Sequence, residues 1–252
     1  MASQEQMHPP RAVGVLAGMG PAAGAEFLRL FVRACEDWLR SHGREVVDQA
    51  FPEHWVAQLP VPDRTGALLD PAAPQPLEMM SRGVHRLADL GVRHIAISCN
   101  TAHAWHQALQ ACEPRAEILH IARETAADLK RRGFAKVALL ATEGTYRTRL
   151  YDEAFGALGM ACAAPAPAAR QRLMQGIYQG VKAGNQALAE ACFTEVCREM
   201  AEVHPGAAFV MACTEIPLAL PLAPEAAQWT LVDPAQVLAA ALARRAFEGD
   251  AQ

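Results

Sequence analysis

What most constrains this chain is an alternation, played twice. Short apolar runs closed by turn residues alternate with longer stretches whose apolar residues recur at helical spacing. "AVGVLAG" (12–18) ends in glycine, and "PAAGAEFLRLFVRACEDWLR" (21–40) follows with helical periodicity and a proline early enough for a first turn. "HWVAQLP" (54–60) predicts a second strand, and 61–76, rich in Pro and Asp, a structured loop. A helix over about 76–90 leads through Gly91 into "HIAIS" (94–98), then come a helix over 101–111 and a strand "EILHI" (117–121). The cycle recurs with a helix over 122–132, the strand "KVALLA" (136–141) and a helix over 145–158. A loop with Pro165 and Pro167, helices near 169–183 and 185–203, the strand "AAFVMA" (207–212), a short strand "WTLVD" (229–233) and a helix from 234 complete it.

Strands separated by helices predict an α/β fold with mostly parallel sheets covered on both faces. Because "AVGVLAGMGP" is echoed by "KVALLATEGT", and "IAISCNTA" by "FVMACTEI", the expected architecture is two similar parallel-sheet halves facing one another across a central cleft. The first half spans 1–120 and carries Cys99; the second spans 121–233 and carries Cys213. The last segment, 234–252, is expected to pack back on the first half. In open α/β sheets ligands bind outside the carboxyl ends of the strands, where both cysteines fall.

Composition narrows the function. With a net charge of −4 and scattered basic residues there is no electrostatic footprint for nucleic acid and no polybasic membrane anchor. No stretch stays apolar for the roughly 18 residues of a membrane span, and "MASQEQMHPP" has no apolar core of a signal peptide, so a cytoplasmic protein acting on a small solute is expected. Seven irregularly spaced cysteines argue for reduced thiols.

A cysteine between a strand's end and a helix's start meets unpaired N–H groups and a helix dipole, which favour an anion. Thiols so placed are expected to ionise low, in a range of roughly 3.5–7.5. Cys99 and Cys213, at matching points of the two halves, are therefore the candidate reactive pair. The alternative for each is simple packing, since free cysteine is among the most buried residue types. Cys35, Cys112, Cys162, Cys192 and Cys197 are read as packing.

Taken together, "GMGP" (18–21), "PDRT" (62–65), "CNTAH" (99–103) and "CTEIPL" (213–218) closely resemble the aspartate/glutamate racemase family, which needs no pyridoxal phosphate. The resemblance implies an active site between two α/β halves, a cysteine from each flanking an acidic amino acid, no cofactor or metal, and a homodimer. It makes Met19, Gly20, Asn100, Thr101 and Thr214 substrate contacts, and "IYQGVKAGN" (177–185) points to Tyr178 and Lys182 as framing residues. It also assigns Cys213 to the L enantiomer and Cys99 to the D. Thr101 and Thr214 would otherwise be helix caps. Glu215 is expected to hold the substrate ammonium or fix a neighbour, or else to compensate a helix dipole.

The chemistry fits without the name. Inverting an α-carbon needs one group to take a proton from one face and another to return one from the opposite face. Two thiols, one of them ionised, do this symmetrically. Arg64 suits a carboxylate, which a planar guanidinium binds with two parallel hydrogen bonds; Asp63 is read as shaping the loop. Four positions depart from the family pattern: Ala17 and Ala212 stand for glycines, Gly24 for a hydroxyl residue, and Ser98 for a proline. A methyl at 212 would disturb Cys213 if that position needed positive φ. Three other readings stand: a nucleotide-dependent enzyme using the Gly18-Gly20-Ala23 turn, metal binding by Cys99, His103 and His106, and a non-catalytic binder of acidic amino acids.

Overall fold

A computed structural model of the protein describes residues 9–248. The opening eight residues and 249–252, the tail of the segment expected to pack back, lie outside the described residues.

The apolar runs form two four-stranded sheets, parallel throughout. In the first, β1 (Val13–Ala17) lies between β2 (His54–Gln58) and β3 (His94–Ile97), and β4 (Glu117–Ile118) pairs outside β3. In the second, β5 (Lys136–Ala141) lies between β6 (Ala161–Ala163) and β7 (Ala208–Ala212), with β8 (Leu231–Val232) outside β7. The two orders, β2-β1-β3-β4 and β6-β5-β7-β8, are the same order repeated. Every residue of β1, β3 and β7 is buried, as parallel strands covered on both faces require.

Helices supply the covers. One face of the first sheet packs on α1 (Pro21–Ser41), through Phe27 and Phe31, and the other on α3 (Leu77–Asp89) and α4 (His106–Cys112), through Met80, Val84 and Leu109. The second sheet lies between α5 (Ile121–Arg131) with α7 (Leu150–Gly156), and α8 (Pro167–Gln175) with α9 (Gln186–Val203). The final helix, α10 (Pro234–Glu248), joins the core of the first sheet through Leu238 and Leu242. Near its end the rings of Trp38 and Phe247 stack at 4.1 Å. Among the described residues no helix is long and apolar enough to cross a membrane.

Several boundaries differ from the sequence expectation. The 61–76 loop contains a short helix, α2 (Arg64–Leu69), because the Asp63 carboxylate accepts from the Gly66 N–H at its N-cap. The helix expected over 101–111 opens as a 3-10 turn, Thr101–Trp105, before α4. That expected over 145–158 is two pieces, α6 (Glu143–Thr148) and α7, because Arg149 adopts a left-handed φ of 54° between them. The stretch 169–183 leaves α-helical geometry after Gln175 and continues as a π turn, Gly176–Gly180, and a 3-10 turn, Val181–Ala183. Strand β6 went unforeseen: three small residues beside Pro165 carry little pattern.

The departures from the family pattern have local explanations. A side chain at Gly24 would begin 2.4 Å from Gln58 Oε1 and 2.8 Å from the Ala17 Cβ, so the methyl at 17 and the missing hydroxyl at 24 compensate one another. Arg149 is the only described non-glycine residue with positive φ, so Ala212 carries no strain; it pairs with Ala141 in the β5–β7 ladder. Ser98 donates its N–H to the Leu16 carbonyl at 3.0 Å, a bond that proline could not make.

Candidate active site

The carboxyl ends of strands from both sheets meet at one small cavity. From the first half come Met19 after β1, Asp63, Arg64 and Thr65 after β2, and Cys99, Asn100 and Thr101 after β3. From the second come Thr142 after β5, Tyr178 and Lys182 from the π and 3-10 turns, and Cys213, Thr214 and Glu215 after β7. Both thiols thus line one cavity, one from each half, each buried. Gly20 is not in its wall. It is instead the N-cap of α1, and its carbonyl accepts from Gly24 N–H. The cavity measures ≈ 30 Å³, room for about two waters at about 10–15 Å³ each, so an amino acid enters only if the walls part.

Contacts between the halves hold this wall. Thr101 Oγ1 lies 3.1 Å from both Thr142 Oγ1 and Thr145 Oγ1, and those two are 3.1 Å apart, a closed trio of hydroxyls. Thr101 therefore does not cap its own turn. Tyr151, fully buried on α7, donates its hydroxyl to Asn100 Oδ1, which leaves the amide NH2 as the end of Asn100 free to face the cavity. Thr142 and Thr65 were missed by the sequence reading. The echo of Met19's turn in "LLATEG" was the signal for Thr142, whereas Thr65 lay unremarked inside "PDRT".

Arg64 is partly committed. Its Nη2 donates to the Met19 carbonyl at 2.7 Å, and Nη1 to the carbonyls of Pro62 and Val61 at 3.1 and 3.2 Å. Its Nε, buried, finds no partner. Gly18, at φ 95°, lets this turn pass the β2 end: a Cβ there would lie 2.0 Å from the Leu59 carbonyl oxygen. Gly18 thus packs against backbone, while Gly20 has open space around its Cα.

The expected low ionisation of both thiols needs correction at Cys213. Burial pushes its thiol well above the ordinary range, and the Glu215 carboxylate raises it further, while Lys182 pulls the other way. The helix beyond it is a single 3-10 turn, Ile216–Leu218, too short for a strong dipole to offset these effects. His103 sits behind Cys99, its ring Nδ1 2.9 Å from the Cys99 carbonyl oxygen, and His106 Nε2 lies 2.7 Å from the Ile118 carbonyl oxygen. Among the described residues no group of three or more His, Cys, Asp or Glu has the geometry to hold a metal ion. All seven cysteines are free; Cys35, Cys192 and Cys197 are buried, whereas Cys112, read as packing, is exposed at the end of α4.

Comparison with known proteins bears on the family and the fold. The sequence profile described as Asp/Glu/Hydantoin racemase matches residues 16–242. Broad specificity amino-acid racemase RacX of Bacillus subtilis (strain 168) is 26% identical over 141 residues, which are 56% of this chain and 59% of that protein. The match thus spans somewhat more than half the length of that relative. Among solved structures, Picrophilus torridus aspartate racemase superposes with a TM-score of 0.75 at 25% identity, covering 94% of each chain. An aspartate racemase homologue from Pyrococcus horikoshii OT3 gives 0.72 at 18% identity, over 95% of this chain and 99% of that one, a likeness of fold. With four motifs in register, a duplicated α/β fold and a profile match over nearly its whole length, the chain belongs to the Asp/Glu/hydantoin racemase family.

Proposed function

We propose that this protein is an amino-acid racemase that inverts the α-carbon of an acidic amino acid, aspartate or glutamate, by a two-base thiol/thiolate mechanism without a cofactor. The observation that carries the reading is that Cys99 and Cys213 approach one cavity from separate halves, 1–120 and 121–233. One sulfur, as thiolate, takes the α-proton; the other, as thiol, returns a proton to the opposite face. Asn100, Thr101 and Thr214 are donors suited to negative charge growing on the substrate carboxylate, which is where a preorganised site lowers a barrier most. Arg64 Nε and Lys182 are the cationic groups for a second carboxylate, and Met19 shapes the pocket floor. The relatives named above, an aspartate racemase and a broad-specificity amino-acid racemase, support the reaction class.

The test is incubation with each enantiomer of aspartate and glutamate in deuterated water, reading α-deuteration and chirality. Cys99→Ala and Cys213→Ala should each abolish inversion, with one-sided exchange surviving for one enantiomer. Full turnover by either variant would refute the scheme. We extend the proposal to a cytoplasmic homodimer, for which light scattering at twice the chain mass is the check.

A further inference from the structure

The two thiols are not equivalent. Cys213 Sγ–H donates to Glu215 Oε2 at 3.0 Å, and Thr214 Oγ1–H donates to the same oxygen at 3.0 Å. The other oxygen, Oε1, faces Lys182 Nζ at 3.9 Å, and that ammonium rests over the Tyr178 ring at 4.4 Å. The Glu215 carboxylate is therefore held in place by a hydroxyl and a cation with one lone pair aimed at the sulfur. Among the described residues no carboxylate hydrogen-bonds to Cys99 Sγ. Facing Cys213 from the opposite wall are Asp63, Arg64 and Cys99, and from its own half Tyr178, Lys182 and Glu215.

We propose that Glu215 is a positioning residue that keeps Cys213 protonated in the substrate-free site, so that Cys213 enters the reaction as the proton donor and Cys99 as the acceptor. The inference rests on the two-thiol reading above. A Cys213 thiolate would stand beside a carboxylate oxygen while itself buried, where like charges repel more strongly than in water. Cys99, as thiolate, takes the α-proton and becomes a thiol, and the C–H electron pair stays on the α-carbon. The Cys213 S–H then gives its proton to the opposite face and becomes a thiolate. No proton is gained or lost by the enzyme–substrate pair. The enzyme regains its starting protonation when Cys213 takes a proton from solvent and Cys99 gives one up. Burial and the Glu215 charge both raise the Cys213 thiol, in keeping with the contacts.

Alkylation by iodoacetamide of the full-length, reduced, substrate-free protein tests this, with Cys213 and Cys99 followed separately by peptide mass spectrometry between pH 6 and pH 10. Backbone hydrogen–deuterium exchange of the same samples corrects for opening of the cavity. In Glu215→Gln the Cys213 onset should move to lower pH by about one unit or more, the size expected for removing an adjacent like charge. Lys182→Gln should move it the opposite way, read below the onset as a slower Cys213 alkylation rate at fixed pH, since only the thiolate reacts. A folded Glu215→Gln whose Cys213 onset is unmoved or higher overturns the proposal, even if its KM rises, for then Glu215 serves only the substrate ammonium. If Glu215→Gln does not fold, a Lys182→Gln alkylation rate at Cys213 that fails to fall overturns it instead. Absence of racemisation by the unaltered enzyme would sink the function itself, independently of these titrations.

Discussion

Lowering the pH from 7 to 5 should weaken the fold through histidines packed behind Cys99. His103, His106 and His120 form a cluster, with ring centroids 4.7–6.1 Å apart. Burial holds His103 down to about 4 and His120 to about 3, and lowers His106 as well, against an ordinary 6.5. Because the unfolded chain takes up protons between pH 6.5 and these lower values while the folded one does not, stability is full above 6.5 and falls with pH below it. Between pH 7 and 5, His103 and His120 together should remove about 4 kcal/mol. Asp233 opposes this: burial raises its carboxyl to about 6, so its destabilising ionisation is relieved, by about 1 kcal/mol, over the same range. Glu113, held near 2 by Arg115, and Glu117, held near 2 by His94 and Arg245, matter mainly below pH 5. The net loss of about 2–3 kcal/mol is a large fraction of a typical stability of about 5–15 kcal/mol. Urea unfolding at the two pH values, with thiols kept reduced, measures it. His120→Asn isolates the cause, since His120 is the N-cap of α5, accepting from Arg123 N–H, and asparagine caps equally well. That variant should lose about half of the histidine effect, roughly 2 kcal/mol. A wild-type loss under about 1 kcal/mol, or an unchanged slope in His120→Asn, would refute the reasoning.

Tyr151→Phe leaves Asn100 Oδ1 without its donor in a buried setting, and should cost about 1–3 kcal/mol in unfolding free energy together with a fall in kcat as the amide loses its fixed orientation. Arg64→Ala should raise KM for dicarboxylic substrates and also lower Tm, because three backbone carbonyls lose their donor; a KM change at constant Tm would mean the guanidinium serves substrate alone. Gly24→Ser should destabilise the protein by about 1–3 kcal/mol through overpacking against Ala17 and Gln58. Adding Ala17→Gly should recover part of that loss, and strict additivity of the two changes in a melting series would contradict the proposed compensation.

Much of the architecture is local information. The apolar runs at 13–17, 94–97, 136–141 and 208–212 and the periodic helices between them announce parallel α/β layers, because strands buried on both faces must be continuously apolar and helices covering them amphipathic. The repeat of glycine turn and strand-end cysteine likewise set the two candidate thiols at equivalent points before any fold was known. What the chain's linear order did not contain is everything that depends on the halves meeting. The Tyr151 bond to Asn100 and the contacts of Thr101 with Thr142 and Thr145 join groups some 40–50 positions apart in sequence. Nor could a local rule about helix starts foresee the state of Cys213. Its ionisation is governed by burial and by where one carboxylate and one ammonium point, and both are set by packing, which acts at short range in space between residues far apart along the chain.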